Sequence, residues 1–299
     1  MKSGFVAIIG RPNVGKSTFL NKVIGKKIAI MSDKPQTTRN TISGVYTTKE
    51  EQIIFIDTPG IHKPHNELGA RMTKSAYQTT RGVDAILWMI SAKEHFTLGE
   101  EMILDNIKNT NTPVFLCINK IDLLKNRKEI DKIILEYKDK LNFKGIYPIS
   151  ALENQNVEHV LEDIKEILPE GPQYYPSDMI TDHPERFLIA EIIREKVLHN
   201  TEEEIPHSVA VVIDMLKKNE DNPNIIDCYA SIYVERKSQK GIIIGAGGQM
   251  LKKIGAQARK DIINILGSKV YLEVWVKVKE DWRNRENALK ALGYGIDNF

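Results

Sequence analysis

The first half of the chain alternates short apolar runs with amphipathic stretches. Residues 5–9 are an apolar run ahead of a glycine-rich loop; 16–25 then space their apolar positions as a helix does and close on Gly25. Residues 44–48 and 52–57 predict two strands joined by a charged turn at 49–51. Residues 84–90 and 113–119 are continuous apolar runs apart from Asp84 and Asn119 at their ends, as strands covered on both faces are, and 145–150 predicts a shorter strand. Helical spacing occupies 67–81, 98–109, 130–141 and 157–168. This order predicts an α/β domain: a mostly parallel sheet with helices on both faces and one antiparallel strand from the early hairpin.

The pattern stops at 168–178, where three prolines and a glycine fall within the ten residues 169–178 and predict a linker. The remainder has a different grammar. It predicts a helix at 185–199, strands at 208–216 and 225–236, a helix around a second glycine-rich loop at 241–250, a helix at 257–266 and a strand at 269–280. In that last strand Leu272, Val274, Val276 and Val278 alternate with Tyr271, Glu273, Trp275 and Lys277, giving one core face and one polar face.

At 299 residues the chain is long for one core, which agrees with two domains. A net charge of +2 says little, but its distribution does: residues 249–285 hold nine Lys and Arg against four Asp and Glu, a surplus that suits a polyanion or a solvated helix face. Two cysteines, Cys117 and Cys228, each in an apolar run, predict reduced core thiols. The N-terminus has no long apolar segment or cleavage site, and no stretch is long and apolar enough to span a membrane, so a cytoplasmic protein is expected.

The first loop, Gly10-Arg11-Pro12-Asn13-Val14-Gly15-Lys16-Ser17 followed by Thr18, fits G-x-x-x-x-G-K-[ST] between a strand and a helix. Its amides and the helix N-terminus suit phosphates, Lys16 suits the β/γ oxygens, and the Ser17 hydroxyl is a hard ligand for Mg²⁺. Four further segments separate GTP from ATP. Asp57-Thr58-Pro59-Gly60 follows a strand; the carboxylate can hold Mg²⁺ through water and the Gly60 amide can sense the γ-phosphate. Asn119-Lys120-Ile121-Asp122 follows another; Asp122 can accept two hydrogen bonds from guanine N1 and N2, which adenine cannot supply, while Asn119 bridges loop segments and the Lys120 stem covers the ring. Ser150-Ala151 can present a backbone amide to guanine O6, and Thr38, in 36–40, can close the Mg²⁺ shell.

These five ordered segments resemble those of the translation-factor-class GTPases over residues 1 to about 170. Ile61 stands where Ras-like relatives carry a glutamine that orients water, so water must be oriented by something else. In related GTPases with an asparagine at the loop position of Asn13 and a Thr-Thr-Arg switch, K⁺ supplies charge at the γ-phosphate. The resemblance therefore implies K⁺-stimulated hydrolysis, with Asn13 as ligand and Lys16, Thr38 and Gly60 completing the catalytic set; a loop-stabilising hydrogen bond is the other reading of Asn13. The segments 31–41 and 60–68 are expected to be switches, with His62 and His65 as ordinary loop residues.

The second loop, Ile244-Gly245-Ala246-Gly247-Gly248, lacks the Lys-Ser/Thr of a nucleotide cradle. It fits I-G-x-x-G before a helix carrying Lys252 and Lys253, the loop with which a KH module clamps single-stranded RNA. The helix–strand–strand–helix–helix–strand order is that of a type II KH domain. Together the two halves resemble the Era family of bacterial GTPases nearly end to end, although the pair Ala246-Gly247 departs from the family's usual charged or polar middle pair. The resemblance implies a GTPase domain at 1–170, a linker at 171–180 and a KH domain with a C-terminal helix at 181–299. It also implies GTP/GDP and Mg²⁺ as ligands, binding to the 3′ end of 16S rRNA and the 30S subunit, a monomer, and peripheral contact with the inner face of the membrane. An RNA scaffold with a structural nucleotide, and a membrane or division GTPase without an RNA role, stay open on the residues alone.

Overall fold

The computed structural model describes residues 1–126 and 128–295; residues 296–299 of the expected second domain lie outside them. The chain divides into two units. One takes Met1–Ala29, Thr38–His65 and Gly69–Asp182; the other takes Ile30–Thr37, Asn66–Leu68 and the chain from His183.

The first unit is built on six strands: β1 (Lys2–Ile9), β2 (Ile42–Thr47), β3 (Glu51–Asp57), β4 (Ala85–Ser91), β5 (Val114–Asn119) and β6 (Gly145–Pro148), in the order β2-β3-β1-β4-β5-β6. Only β2 runs antiparallel, against β3. Helices α1 (Lys16–Ile24), α2 (Glu67–Thr79), α3 (Leu98–Ile107), α4 (Lys128–Tyr137) and α5 (Val157–Ile167) intervene. The sheet's alternation explains its two covered faces. Ala7, Ile9, Trp88, Ile90, Leu116 and Ile118 cluster with Ile103 and Ile107 of α3 and Tyr137 of α4. Their alternates Ile8, Leu87, Met89, Phe115 and Cys117 are equally closed to solvent, as are Phe19 and Leu20 of α1 and Val160 and Ile164 of α5. Four of the five expected nucleotide segments sit where the parallel strands β1, β3, β5 and β6 end, the edge on which open α/β sheets bind ligands; the fifth, 36–40, precedes β2.

The second unit has three strands, β7 (Ala210–Lys218), β8 (Ile225–Val234) and β9 (Lys269–Val278), with β7 antiparallel and β9 parallel to β8. Ile189, Ile192 and Ile193 of α6 (Glu185–Asn200), Ile243 of α8 (Lys237–Ile244) and Ile254, Ala258 and Ile262 of α9 (Gln249–Leu266) close one core with Cys228, Ala230 and Ile232 of β8. A short α7 (Ile205–Ser208) precedes β7, and α10 (Glu286–Ala291) is the C-terminal helix.

Three expectations need correction. The helix expected at 257–266 begins at Gln249. Gly255 lies inside it, where the buried Ile254, Ala258 and Ile262 stripe outweighs the roughly 1 kcal/mol that a helical glycine costs. The second glycine loop therefore lies between two helices. Glu51 is part of β3, opposite Lys2, where a turn was expected, and Lys165 meets its carboxylate at 2.7 Å. The four-residue α7, with Pro206 in its first turn, was not foreseen. Cys117 and Cys228 are buried and free. Among the described residues no helix is long and apolar enough to cross a membrane.

Candidate functional site

The loop between β1 and α1 is shaped by positions a side chain would spoil. A Cβ on Gly10 would stand 2.3 Å from the Met89 carbonyl oxygen, and one on Gly15, where φ is 100°, would stand 2.2 Å from Asn119 Nδ2. Asn13 is left-handed, at φ 63°. The turn delivers Lys16 to the first position of α1. Lys16 is buried, and its Nζ donates to the carbonyls of Gly10 at 3.1 Å and Arg11 at 2.8 Å. Burial lowers its pKa to about 8, against the opposing charge of Asp57.

Below the loop three hard oxygens converge. Ser17 Oγ donates to Asp57 Oδ2 at 2.6 Å and lies 3.0 Å from Thr38 Oγ1. Asp57 is closed to solvent, and its Oδ1 has no hydrogen-bond partner. Burial raises its pKa to about 6, opposed by Lys16, the Ser17 hydroxyl and the Thr58 amide. A buried carboxylate with an orphaned oxygen, beside two hydroxyls, is a donor set that fits Mg²⁺.

The β3 end is held against the loop. Thr58 donates to the Ile8 carbonyl through Oγ1 at 2.7 Å, and the Ile61 amide donates to the Gly10 carbonyl at 3.1 Å. Pro59 and Gly60 are buried, and a Cβ on Gly60 would meet Pro12 N at 2.6 Å. Ile61 is buried and brings no polar side-chain atom. Thr18 sits half-buried in α1. Arg11 contributes only backbone to the cradle: its guanidinium meets Glu94 at 2.6 Å and Glu100, in the cap of α3, at 3.4 Å.

On the base side Asn119 Nδ2 donates to the Val14 carbonyl at 2.8 Å while its Oδ1 accepts from the Ala151 amide at 2.9 Å. The amide expected at guanine O6 is thus engaged by Asn119 here. Lys120, left-handed at φ 68°, reaches the Asn13 carbonyl at 2.5 Å. Asp122 lies exposed in a 3-10 turn, and Ser150 Oγ accepts from the Glu153 amide at 3.1 Å.

In the second unit α8 ends at Gly245, φ 71°, and Gly247 and Gly248 follow at φ 57° and 78°. A Cβ on either of the last two would meet nothing within 4 Å, so this turn faces open space. Ala246 and Gly247 are exposed, as are Lys252 and Lys253 in the first turn of α9; Ile244 is half-buried against the core. The loop therefore pairs accessible backbone and a helix N-terminus with two lysines.

The chain carries both halves as separate family matches: residues 5–120 match a 50S ribosome-binding GTPase family, and residues 204–283 a KH domain. A solved structure of Era from Aquifex aeolicus, a variant bound to GDP·AlF4⁻, is 46% identical, covers 99% of this chain and 100% of its own, and superposes with a TM-score of 0.96. The chain belongs to the Era family of GTPases. A second Era structure, in complex with MgGDPNP and nucleotides 1506–1542 of 16S ribosomal RNA, matches with the same identity, coverage and TM-score.

The residues that sequence reasoning missed lie on α6. Arg194 is fully buried, is ion-paired to Glu191 at 2.5 Å, and donates to the Thr37 carbonyl; Glu195 accepts from the Met31 amide at 3.0 Å. Within the second unit these bonds hold Ile30–Thr37, the segment immediately before Thr38. The available signal was charge at Glu191, Arg194 and Glu195 among the apolar residues of the middle of the helix.

Proposed function

We propose that the protein is a GTP-hydrolysing switch that binds the 3′ region of 16S rRNA and assists maturation of the 30S subunit. The carrying observation is the coexistence in one chain of the Ser17–Thr38–Asp57 oxygen cluster under a phosphate loop and an open glycine turn heading a lysine-bearing helix. The RNA carried by the second Era structure supports the choice of partner. A cytoplasmic monomer with peripheral membrane contact belongs to the same reading. Retention of a 16S 3′-end oligoribonucleotide over an unrelated one of equal length tests the RNA half; no retention of either at low salt contradicts it.

In this reading the amides of 13–17 and Lys16 bind the phosphates, and Asp122 and Asn119 orient guanine. Mg²⁺, held by Ser17, Thr38 and Asp57, would neutralise charge on the β- and γ-oxygens. The Gly60 amide senses the γ-phosphate, and a water attacks its phosphorus in line. Asp57 must be ionised to serve the metal. Its raised pKa makes protons compete below about pH 6, where apparent Mg²⁺ affinity should fall by about tenfold per pH unit and stay level above about pH 7. Mg²⁺ titrations of the GDP complex about one to two pH units below that pKa and again about one unit above it check this; equal affinities contradict it.

Since Ile61 cannot orient water, we assign charge supply at the γ-phosphate to K⁺ held by Asn13. Phosphate release should be at least about tenfold faster in K⁺ than in Na⁺, and Asn13→Ala should remove the difference. Equal rates in both salts contradict the assignment.

Thr38 reads the nucleotide, and the neighbouring Ile30–Thr37 belongs to the KH-bearing unit. This continuity of chain supports nucleotide control of RNA engagement.

A further inference from the structure

The RNA reading leaves one charged recess of the second unit without a role. Its volume is about 410 Å³, and it lies between the last turns of α6 and the middle of α9, lined by Lys196, His199 and Asn200 on one side and Lys253, Gln257, Lys260 and Asp261 on the other. Lys253, Gln257 and Lys260 recur at helical spacing, so they share a stripe beside the buried Ile254, Ala258 and Ile262.

The charges in the recess do different jobs. Lys196 is 2.9 Å from Glu195 and 2.6 Å from Asp261, so it balances one of the two carboxylates and ties the two walls together. Asn200 Nδ2 donates to Gln257 Oε1 at 2.7 Å, a second tie, which leaves the Gln257 NH2 as a donor. Lys253 and Lys260 are exposed and form no ion pair among the described residues. A pre-tied recess that is net positive, with two unpaired ammonium groups and the Gln257 amide as donors, suits an anion whose charges repeat along a line. Seven residues of helix separate the two lysines by roughly 10 Å, more than one nucleotide step, so they can meet different phosphates of one strand.

We infer that the α6–α9 groove is a second RNA-backbone subsite, continuing from the glycine loop through Lys253 to Lys260 and gripping phosphates without reading bases. It deepens the RNA assignment and rests on it. The groove supplies affinity and salt dependence; sequence choice stays with the loop.

The test is fluorescence anisotropy of the full chain with a 16S 3′-end oligoribonucleotide and an unrelated one, from about 50 to 200 mM salt. Lys260→Gln should weaken both RNAs by the same several-fold factor. It should make the plot of log affinity against log salt shallower by about 0.7 to 0.9, the share of one phosphate contact. Lys260→Arg should restore both, and GTP hydrolysis without RNA should not change. Wild-type binding with an unchanged slope and affinity in Lys260→Gln overturns the groove alone. No RNA binding by the wild type overturns the RNA reading and the groove with it. Loss of binding to phosphatidylglycerol vesicles with RNA binding intact would make the occupant a lipid surface, and also overturns the inference.

Discussion

Changing Asp122 to asparagine is expected to transfer the protein's preference from guanine to xanthine. Asp122 stands exposed at the rim of the base side, in a turn beginning just after Lys120, so its replacement costs folding little. Guanine offers N1–H and N2–H to the carboxylate, and hydrogen bonds to a charged group contribute about 1.5–3 kcal/mol each. Losing that pair should weaken GTP by about 100-fold or more. Xanthine presents an N–H and a carbonyl at the same edge, and an asparagine amide matches both. Competition between GTP and XTP for the variant reads this directly. A variant that still chooses GTP would mean that guanine is recognised elsewhere.

The second large effect is expected in the KH-bearing unit. Gly248→Asp should lower RNA affinity by about 100-fold while leaving GTP binding unchanged. A Cβ at Gly248 meets nothing within 4 Å, and aspartate tolerates a φ of 78° better than most residues, so the fold should survive. What changes is charge: a carboxylate is placed where phosphates would approach the backbone and the first turn of α9. Gly248→Ala separates the causes, since it carries the strain without the charge and should cost only a few-fold. Equal losses in the two variants would assign the effect to loop shape, and no loss in either would remove this turn from RNA binding.

The legible parts were those whose chemistry is local. The phosphate loop could be read because Gly10, Gly15, Lys16 and Ser17 fall within eight consecutive residues between a strand and a helix. The segments at Asp57, Asn119 and Ser150 could be read because each follows an apolar run. The sheet's strands were visible for the same reason: a buried strand such as β4 is apolar at every position but its last, Ser91.

What the sequence hid depends on distant neighbours. Nothing near Met31 or Thr37 says that Ile30–Thr37 belongs with residues more than a hundred positions later. The partners are Arg194 and Glu195, which single-sequence reasoning places at the surface of a helix. The start of α9 was only partly legible: the loop motif called for a helix at Lys252 and Lys253, while helical spacing alone marked it from 257, because the buried stripe that carries it through Gly255 is decided by distant neighbours. The Arg11 side chain was hidden too: proximity in sequence suggested the nucleotide, and Glu94 and Glu100 claim it.

The central claim is that the nucleotide under Lys16 governs the RNA on the glycine turn. Its most direct test is the dissociation constant of the full chain for a 16S 3′-end oligoribonucleotide, measured at one salt concentration with a non-hydrolysable GTP analogue and again with GDP. The account predicts tighter binding in the triphosphate state, by about fivefold or more, the lower end of ordinary coupling between sites. Equal constants in the two states would contradict it.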